Sequence, residues 1–163
     1  MNAPVPPAHE GGAPALRPLG PGDVSRVVAL EAEIFAGDPW TEGMVSEELQ
    51  VRGRHYVGVE VDGDLLGYAG ISLGPDADVM TIGVLARARG RGLGRLLLED
   101  LLAAARAAGS QRVFLEVRAS NAAAISLYRA HGFAAIGTIR HYFRHPREDA
   151  VSMRTDLVVR PTD

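Results

Sequence analysis

An α+β domain, with strands in series rather than in strict alternation with helices, is the fold class this sequence predicts, and three observations predict it. Three apolar or β-branched runs, His55 to Val61, Leu65 to Leu73 and Met80 to Val84, follow one another with only turns between them. The third opens into a glycine loop and a long leucine and alanine helix, within the stretch Met80 to Ala108. Two more strand-like runs, Phe133 to Ile139 and Ala150 to Leu157, close the chain. Regular alternation would read as a parallel α/β sheet, and this order departs from it. At 163 residues the chain fits one domain with a real core.

Met1 to Pro14 carries four prolines and two glycines with hardly any large apolar residue. Residues 1–14 are therefore expected to be a disordered tail, residues 15–159 a single domain, and residues 160–163 a short C-terminal tail. Ala15 to Pro18 reads as a first strand. The turn Gly20-Pro21-Gly22-Asp23 leads into Val24, Val27, Val28, Leu30 and Ile34, spaced for one apolar helix face. Phe35 to Trp40 breaks that helix, because Pro39 disfavours helix at Asp38. Thr41 then caps a short helix reaching about Leu49. Asp62-Gly63-Asp64 between two apolar runs predicts a hairpin, and Gly74 to Asp78 a polar turn before the Met80 strand. Gly109 is a natural end for the long helix, Arg112 to Val117 a strand, and Ser120 or Asn121 a cap for a helix from Ala122 to His131. Arg140 to Asp149 reads as a loop between the closing strands. About four helices result.

Composition narrows the function. Net charge is −3, and all 17 basic residues are arginine. That acidity speaks against nucleic-acid binding, which wants a net basic face. No cysteine is present, so disulfides and Cys-ligated metal are excluded. No apolar run approaches the roughly 20 residues that span a bilayer, so no membrane association and a cytoplasmic setting are expected.

The glycine loop carries the strongest chemical signal. Arg89, Gly90, Arg91, Gly92, Leu93, Gly94 and Arg95 lie between a strand and a helix. Glycines admit positive φ, so successive amides can converge on an anion, and the following helix adds its positive dipole end. Four arginines from Arg87 to Arg95 suit a multiply charged anion. A dinucleotide fold is the rival, with Glu116 at the distance of a ribose-binding carboxylate. Its third glycine, however, would fall on Arg95 or Leu97, whose side chains block close helix packing.

The loop RARGRGLGR, followed by LEVRASNAAAISLYRAHGF, resembles the GNAT family of acetyl-coenzyme A (acetyl-CoA) dependent N-acetyltransferases, and within it the RimI-type ribosomal-protein N-terminal acetyltransferases. The family motif Q/R-x-x-G-x-G/A falls on Arg89, Gly92 and Gly94. The similarity covers nearly all of Leu16 to Leu157, and its specific part is Leu115 to Tyr128. The resemblance implies a mixed, mostly antiparallel sheet in which the Met80 to Val84 and Arg112 to Val117 strands splay apart. Acetyl-CoA would enter the gap, its pantetheine against backbone groups of Ile82, Gly83 and Val84, its pyrophosphate on the amides of Gly90 to Arg95, with Asn121 alongside. It further implies a protein N-terminus as acceptor, a ribosomal protein above all, and a monomer or weak homodimer.

Acetyl transfer to an amine needs a neutral amine, a polarised carbonyl and a proton for the departing thiolate. The family's residues for the first and last fall on Glu116 as base and Tyr128 as acid. Read alone, Glu116 would be an outward-facing strand residue and Tyr128 a core residue. Asn121 reads equally as a helix cap. Trp40, Arg140, Tyr142 and Glu148 are candidates for gripping the acceptor, against the plainer readings of a plug between helices for Trp40 and a solvated loop for the others. His131, His141 and His145 lack the spacing of a metal site, so no metal is assigned. A lysine or small-amine acetyltransferase on the same scaffold is the nearest alternative, and a non-catalytic coenzyme A sensor a more distant one.

Overall fold

A computed structural model describes residues 12–157. Seven strands form one sheet, with four α-helices packed on it. In chain order these are β1 (Ala15–Pro18), α1 (Val24–Ile34), α2 (Glu42–Glu48), β2 (Arg54–Val61), β3 (Asp64–Ser72), β4 (Asp76–Val84), α3 (Leu93–Ala107), β5 (Arg112–Arg118), α4 (Ala122–Ala130), β6 (Ala134–Arg144) and β7 (Arg147–Asp156). The sheet order is β1-β2-β3-β4-β5-β7-β6. Only β4 and β5 run parallel; every other neighbouring pair is antiparallel.

Side chains on a strand alternate between faces, and β2 shows which helix takes which face. His55 meets Asp100 of α3 at 2.7 Å. Its neighbour Tyr56 stacks on Tyr68 of β3, whose hydroxyl donates to Glu31 of α1. So α3 covers one face and α1 the other. The buried stripe of α3, Leu97, Leu98, Leu101, Leu102 and Ala105, repeats at helical spacing and supplies much of the core. α4 lies on the α3 side, with Leu127 against Gly94 and His131 against Glu99.

Local chemistry sets several boundaries where the sequence puts them. The Thr41 hydroxyl accepts from the Met44 amide at 3.2 Å, and the Asn121 side-chain oxygen accepts from the Ala124 amide at 3.2 Å. Asp62 and Gly63 both take positive φ, the turn that a two-residue hairpin with twisted strands demands.

Two expectations are corrected. The polar turn is shorter than Gly74 to Asp78, because Asp76, Ala77 and Asp78 are already in β4, held by pairing with β5. The span Arg140 to Asp149 is not a loop. It is the end of β6 and the start of β7, with only His145 and Pro146 between them. Strand pairing there overrides a polar, weakly strand-forming sequence. Of the expected N-terminal tail, residues 1–11 lie outside the described residues, as do 160–163. Gly12 to Pro14 have no regular structure, and the Gly12 amide donates to Asp62.

Gly83 marks where α1 presses on β4. A Cβ there would stand 2.8 Å from Ile34 Cγ2 and 2.9 Å from Phe35 Cζ. Gly83→Ala is therefore expected to push the end of α1 off the sheet and cost about 1–3 kcal/mol in urea unfolding. Gly94→Ala, whose Cβ would meet only Leu127 at 3.6 Å inside a helix, should be neutral or stabilising in the same assay.

Candidate active site

The site begins where two strands part. β4 and β5 pair only through Asp76 with Arg112, Ala77 with Val113 and Asp78 with Phe114. Beyond Asp78 no pairing follows, and the strands open into a V. On its other side β4 stays paired with β3, with an irregularity that sets Gly70 opposite Thr81 but Ile71 opposite Val79, so Met80 is the extra residue of a bulge. The Leu85 amide donates to the Leu66 carbonyl at 2.9 Å. That makes the facing pair Val84 and Gly67 non-hydrogen-bonded, and turns the amide and carbonyl of Val84 away from β3 toward the V. Two residues back, Ile82 does the same. Gly83, opposite Tyr68, uses its backbone groups on β3.

At the open end of β4 the chain enters the glycine loop. Gly90 and Gly92 have φ of 80° and 77°, and Gly92 is the left-handed residue from which α3 starts. The amides of Gly92, Leu93, Gly94 and Arg95 stand at a helix start, where no carbonyl four residues earlier can receive them. Leu93 is anchored in the core, which fixes the first turn. Arg89, Arg91 and Arg95 are exposed around it. Arg89 Nε donates to the Val84 carbonyl at 3.2 Å and so links the loop to the edge of the V. Free strand groups followed by an anion-binding helix start suit a long ligand with a phosphate-bearing end, and these residues fit acetyl-CoA.

On the α1 side the V widens into a cavity of about 740 Å³. Its walls are the break from Phe35 to Thr41, the β4 residues Met80 to Ile82, Glu116 to Arg118 of β5, Asn121, and residues 142–146 of the β6 and β7 turn. Glu116 lies between the buried Leu115 and Val117 and faces this cavity. Burial, and then the nearby Asp78 carboxylate, push its pKa above the usual carboxylate range. Tyr142, packed edge-on against Phe143 at 5.0 Å, has its own pKa raised by burial and by the charge of Glu116.

Tyr128 is carried by α4, on the α3 side of the sheet. It is buried, leans on Phe133 at a centroid separation of 5.9 Å, and has its pKa pushed up to about 12 by burial. Among the described residues its hydroxyl makes no hydrogen bond, and it is not sealed as the Tyr56 hydroxyl is. Of the two, Glu116 lines the cavity and Tyr128 does not.

The other acceptor candidates divide. Trp40 and Tyr142 line the cavity; Arg140 and Glu148 do not. Glu148 accepts from the Ser120 amide at 2.7 Å and from Arg118 at 3.3 Å, which hold its carboxyl below the usual range. Asn121 both caps α4 and lines the cavity. Two residues escape a reading of the sequence. Arg118 binds the carbonyls of His145 and Pro146 and lies 4.3 Å over the Phe143 ring, so it fastens one cavity wall. Glu31 is buried in another wall. Its signal was available, a carboxylate four residues after Val27 and three before Ile34, inside an apolar stripe.

A mixed sheet splayed at its one parallel pair, with an anion-binding helix start at the mouth, defines an acetyltransferase architecture. The acetyltransferase (GNAT) family profile matches residues 25–133, and the chain belongs to this family. Among its relatives, the N-alpha-acetyltransferase RimI of Mycobacterium tuberculosis is 46% identical over 140 residues, covering 82% of this chain and 87% of that protein. A putative ribosomal protein bS18-alanine N-acetyltransferase of Bacillus subtilis is 34% identical, covering 80% and 87%. The crystal structure of the ribosomal-protein-S18-alanine N-acetyltransferase of Escherichia coli superposes with a TM-score of 0.83 at 29% identity, over 91% of this chain and 96% of that one. The chain is an acetyl-CoA-dependent N-acetyltransferase. None of its described helices is long and apolar enough to cross a membrane.

Proposed function

We propose that the chain moves the acetyl group of acetyl-CoA directly to the N-terminal α-amine of a protein, in the cytoplasm, with a ribosomal protein as acceptor. The observation that carries this reading is Glu116, a carboxylate facing the cavity from the splayed strand β5, with the Tyr128 hydroxyl on α4, a helix packed on the α3 side of the sheet. An amine entering from the cavity then meets a base, while the thiolate leaving the other way meets an acid. The acceptor class is supported by the relatives named above, which act on protein N-termini.

Acetyl-CoA supplies an activated thioester. The residues proposed to hold it are Ile82 and Val84 along β4, with Gly83 between them turned to β3 and so not pairing with the ligand, the loop from Arg89 to Arg95 at its phosphates, and Asn121 beside it. The Val84 amide, turned into the V, would donate to the thioester carbonyl oxygen and polarise it. Glu116 takes a proton from the ammonium, directly or through a water. An unperturbed α-amine titrates near ~7.7–8.0 and a lysine near ~10.4, so an N-terminus asks much less of a carboxylate base. Tyr128, protonated at neutral pH, gives its proton to the departing sulfur. No cysteine is present to carry an acyl group, in keeping with direct transfer. Trp40 and Tyr142 flank the entering peptide, and Arg140 and Glu148, which do not line the cavity, would act only on later acceptor residues.

The test is coenzyme A release with two peptides, one with a free N-terminal alanine and one N-terminally blocked with an internal lysine, products being located by fragmentation. Acetate on the α-amine of the first alone is expected. Acetate on lysine alone would overturn the N-terminal assignment and leave the acetyltransferase.

A further inference from the structure

Glu31 is a carboxylate that the reaction above does not use. It is 1% exposed, the one charged side chain buried among the described residues. A carboxylate in that position is tolerated only when its oxygens are satisfied. One accepts from the Tyr68 hydroxyl and the other from the backbone N–H of Trp40 at 2.9 Å. Tyr68 is fully buried on β3, opposite Gly83 of β4. Trp40 lines the acceptor cavity and packs on the core. A single carboxylate therefore fastens the cavity wall to the sheet next to the V.

The segment it holds has little else of its own. Between the end of α1 and Thr41 the other backbone bond within it is local, from the Asp38 amide to the Phe35 carbonyl at 3.0 Å. Gly37 admits close approach by the His145 backbone, and Pro39 has no amide to donate. The Trp40 amide is the next donor available, and Glu31 takes it.

We propose that Glu31 is a positioning residue, which sets where Trp40 stands in the acceptor wall and thereby the affinity for the acceptor, without touching acceptor or moving a proton. Glu31 is among the residues lining the cavity, but at 1% exposure its two oxygens are engaged by Tyr68 and Trp40. This role rests on the acceptor reading of that cavity, and the experiment separates the two. Trp40 is the sole tryptophan of the chain, so intrinsic fluorescence reports its surroundings with no acceptor present.

Glu31→Gln keeps size and one acceptor oxygen while setting an amide N–H₂ against the Tyr68 hydroxyl. Tyr68→Phe keeps the ring and removes one of the two donors, and it carries the test if Glu31→Gln does not fold. In both, Trp40 emission should move to the red and acrylamide quenching should rise. The KM for the alanine-terminated peptide should rise about tenfold, the effect of one charge-assisted hydrogen bond, with kcat within about twofold and the KM for acetyl-CoA unchanged. Unaltered Trp40 fluorescence in the folded variants overturns the proposal, as does altered fluorescence with an unchanged peptide KM. Failure of the wild-type chain to acetylate the peptide's α-amine would instead overturn the acceptor reading, with the fluorescence still deciding whether Glu31 holds Trp40.

Discussion

Replacing Glu116 by glutamine is expected to lower kcat by about 10²- to 10⁴-fold, the usual contribution of a positioned base, without loss of thermal stability. The second half follows from the electrostatics. The fold disfavours the ionised form of Glu116, through burial and then through the Asp78 carboxylate. A carboxyl whose pKa is raised on folding contributes stability below its unfolded value and loses it as pH rises through the folded one. At neutral pH the charge is therefore no asset to the fold, and its removal leaves the melting temperature unchanged or slightly higher. The acid limb of kcat/KM should lie above the ordinary carboxylate range in the wild type and vanish in Glu116→Gln. A surviving acid limb would assign the base to another group. Wild-type turnover in the variant would remove Glu116 from the chemistry.

Tyr128→Phe is expected to cost a similar 10²- to 10⁴-fold in kcat, because the thiolate loses its proton donor. The phenylalanine keeps the packing on Phe133, and no described residue loses a hydrogen-bond partner. With the pKa pushed up to about 12, the wild-type hydroxyl stays protonated across the working range, so the acid should leave no basic limb below that value. The same shift gives a stability signature. The unfolded tyrosine ionises near ~10, so the contribution is complete below that pH and lost as pH climbs toward the folded value. Tyr128→Phe should lack this alkaline component in melting curves taken from neutral to strongly basic pH. Turnover within a few-fold of wild type would place the proton on another donor.

The sequence made the skeleton of this site legible because short-range chemistry dictates it. Thr41 and Asn121 can satisfy an amide three residues on, so both helix starts stand where those residues fall. Asp62-Gly63 can form only a tight turn, and Gly92 can take the left-handed conformation from which α3 departs. What stayed hidden depends on partners far along the chain. Asp76 and Asp78 read as turn residues, and pairing with β5, more than thirty residues on, helped at Asp78 by Ser72 of β3, makes them strand. Arg140 to Asp149 reads as a solvated loop because its residues are polar, and it becomes a hairpin through the pairing of β6 with β7. The tie from Glu31 to Tyr68 and Trp40 joins three elements, a relation no local pattern encodes. The same distinction separates Tyr142, which reaches the cavity, from Glu148, which Arg118 and Ser120 draw away.

The three residue pairs that join β4 to β5 also make this an unfinished sheet. Past Asp78, backbone groups that a continuous sheet would satisfy from within are left for a visitor, those of Ile82 and the amide of Val84 among them. Whatever pairs with them completes the ladder, and by mass action it favours the folded over the unfolded chain by RT ln(1 + [L]/Kd). Folding and occupancy are then two readings of one equilibrium. A ligand that pairs there is expected to raise the melting temperature as its concentration rises.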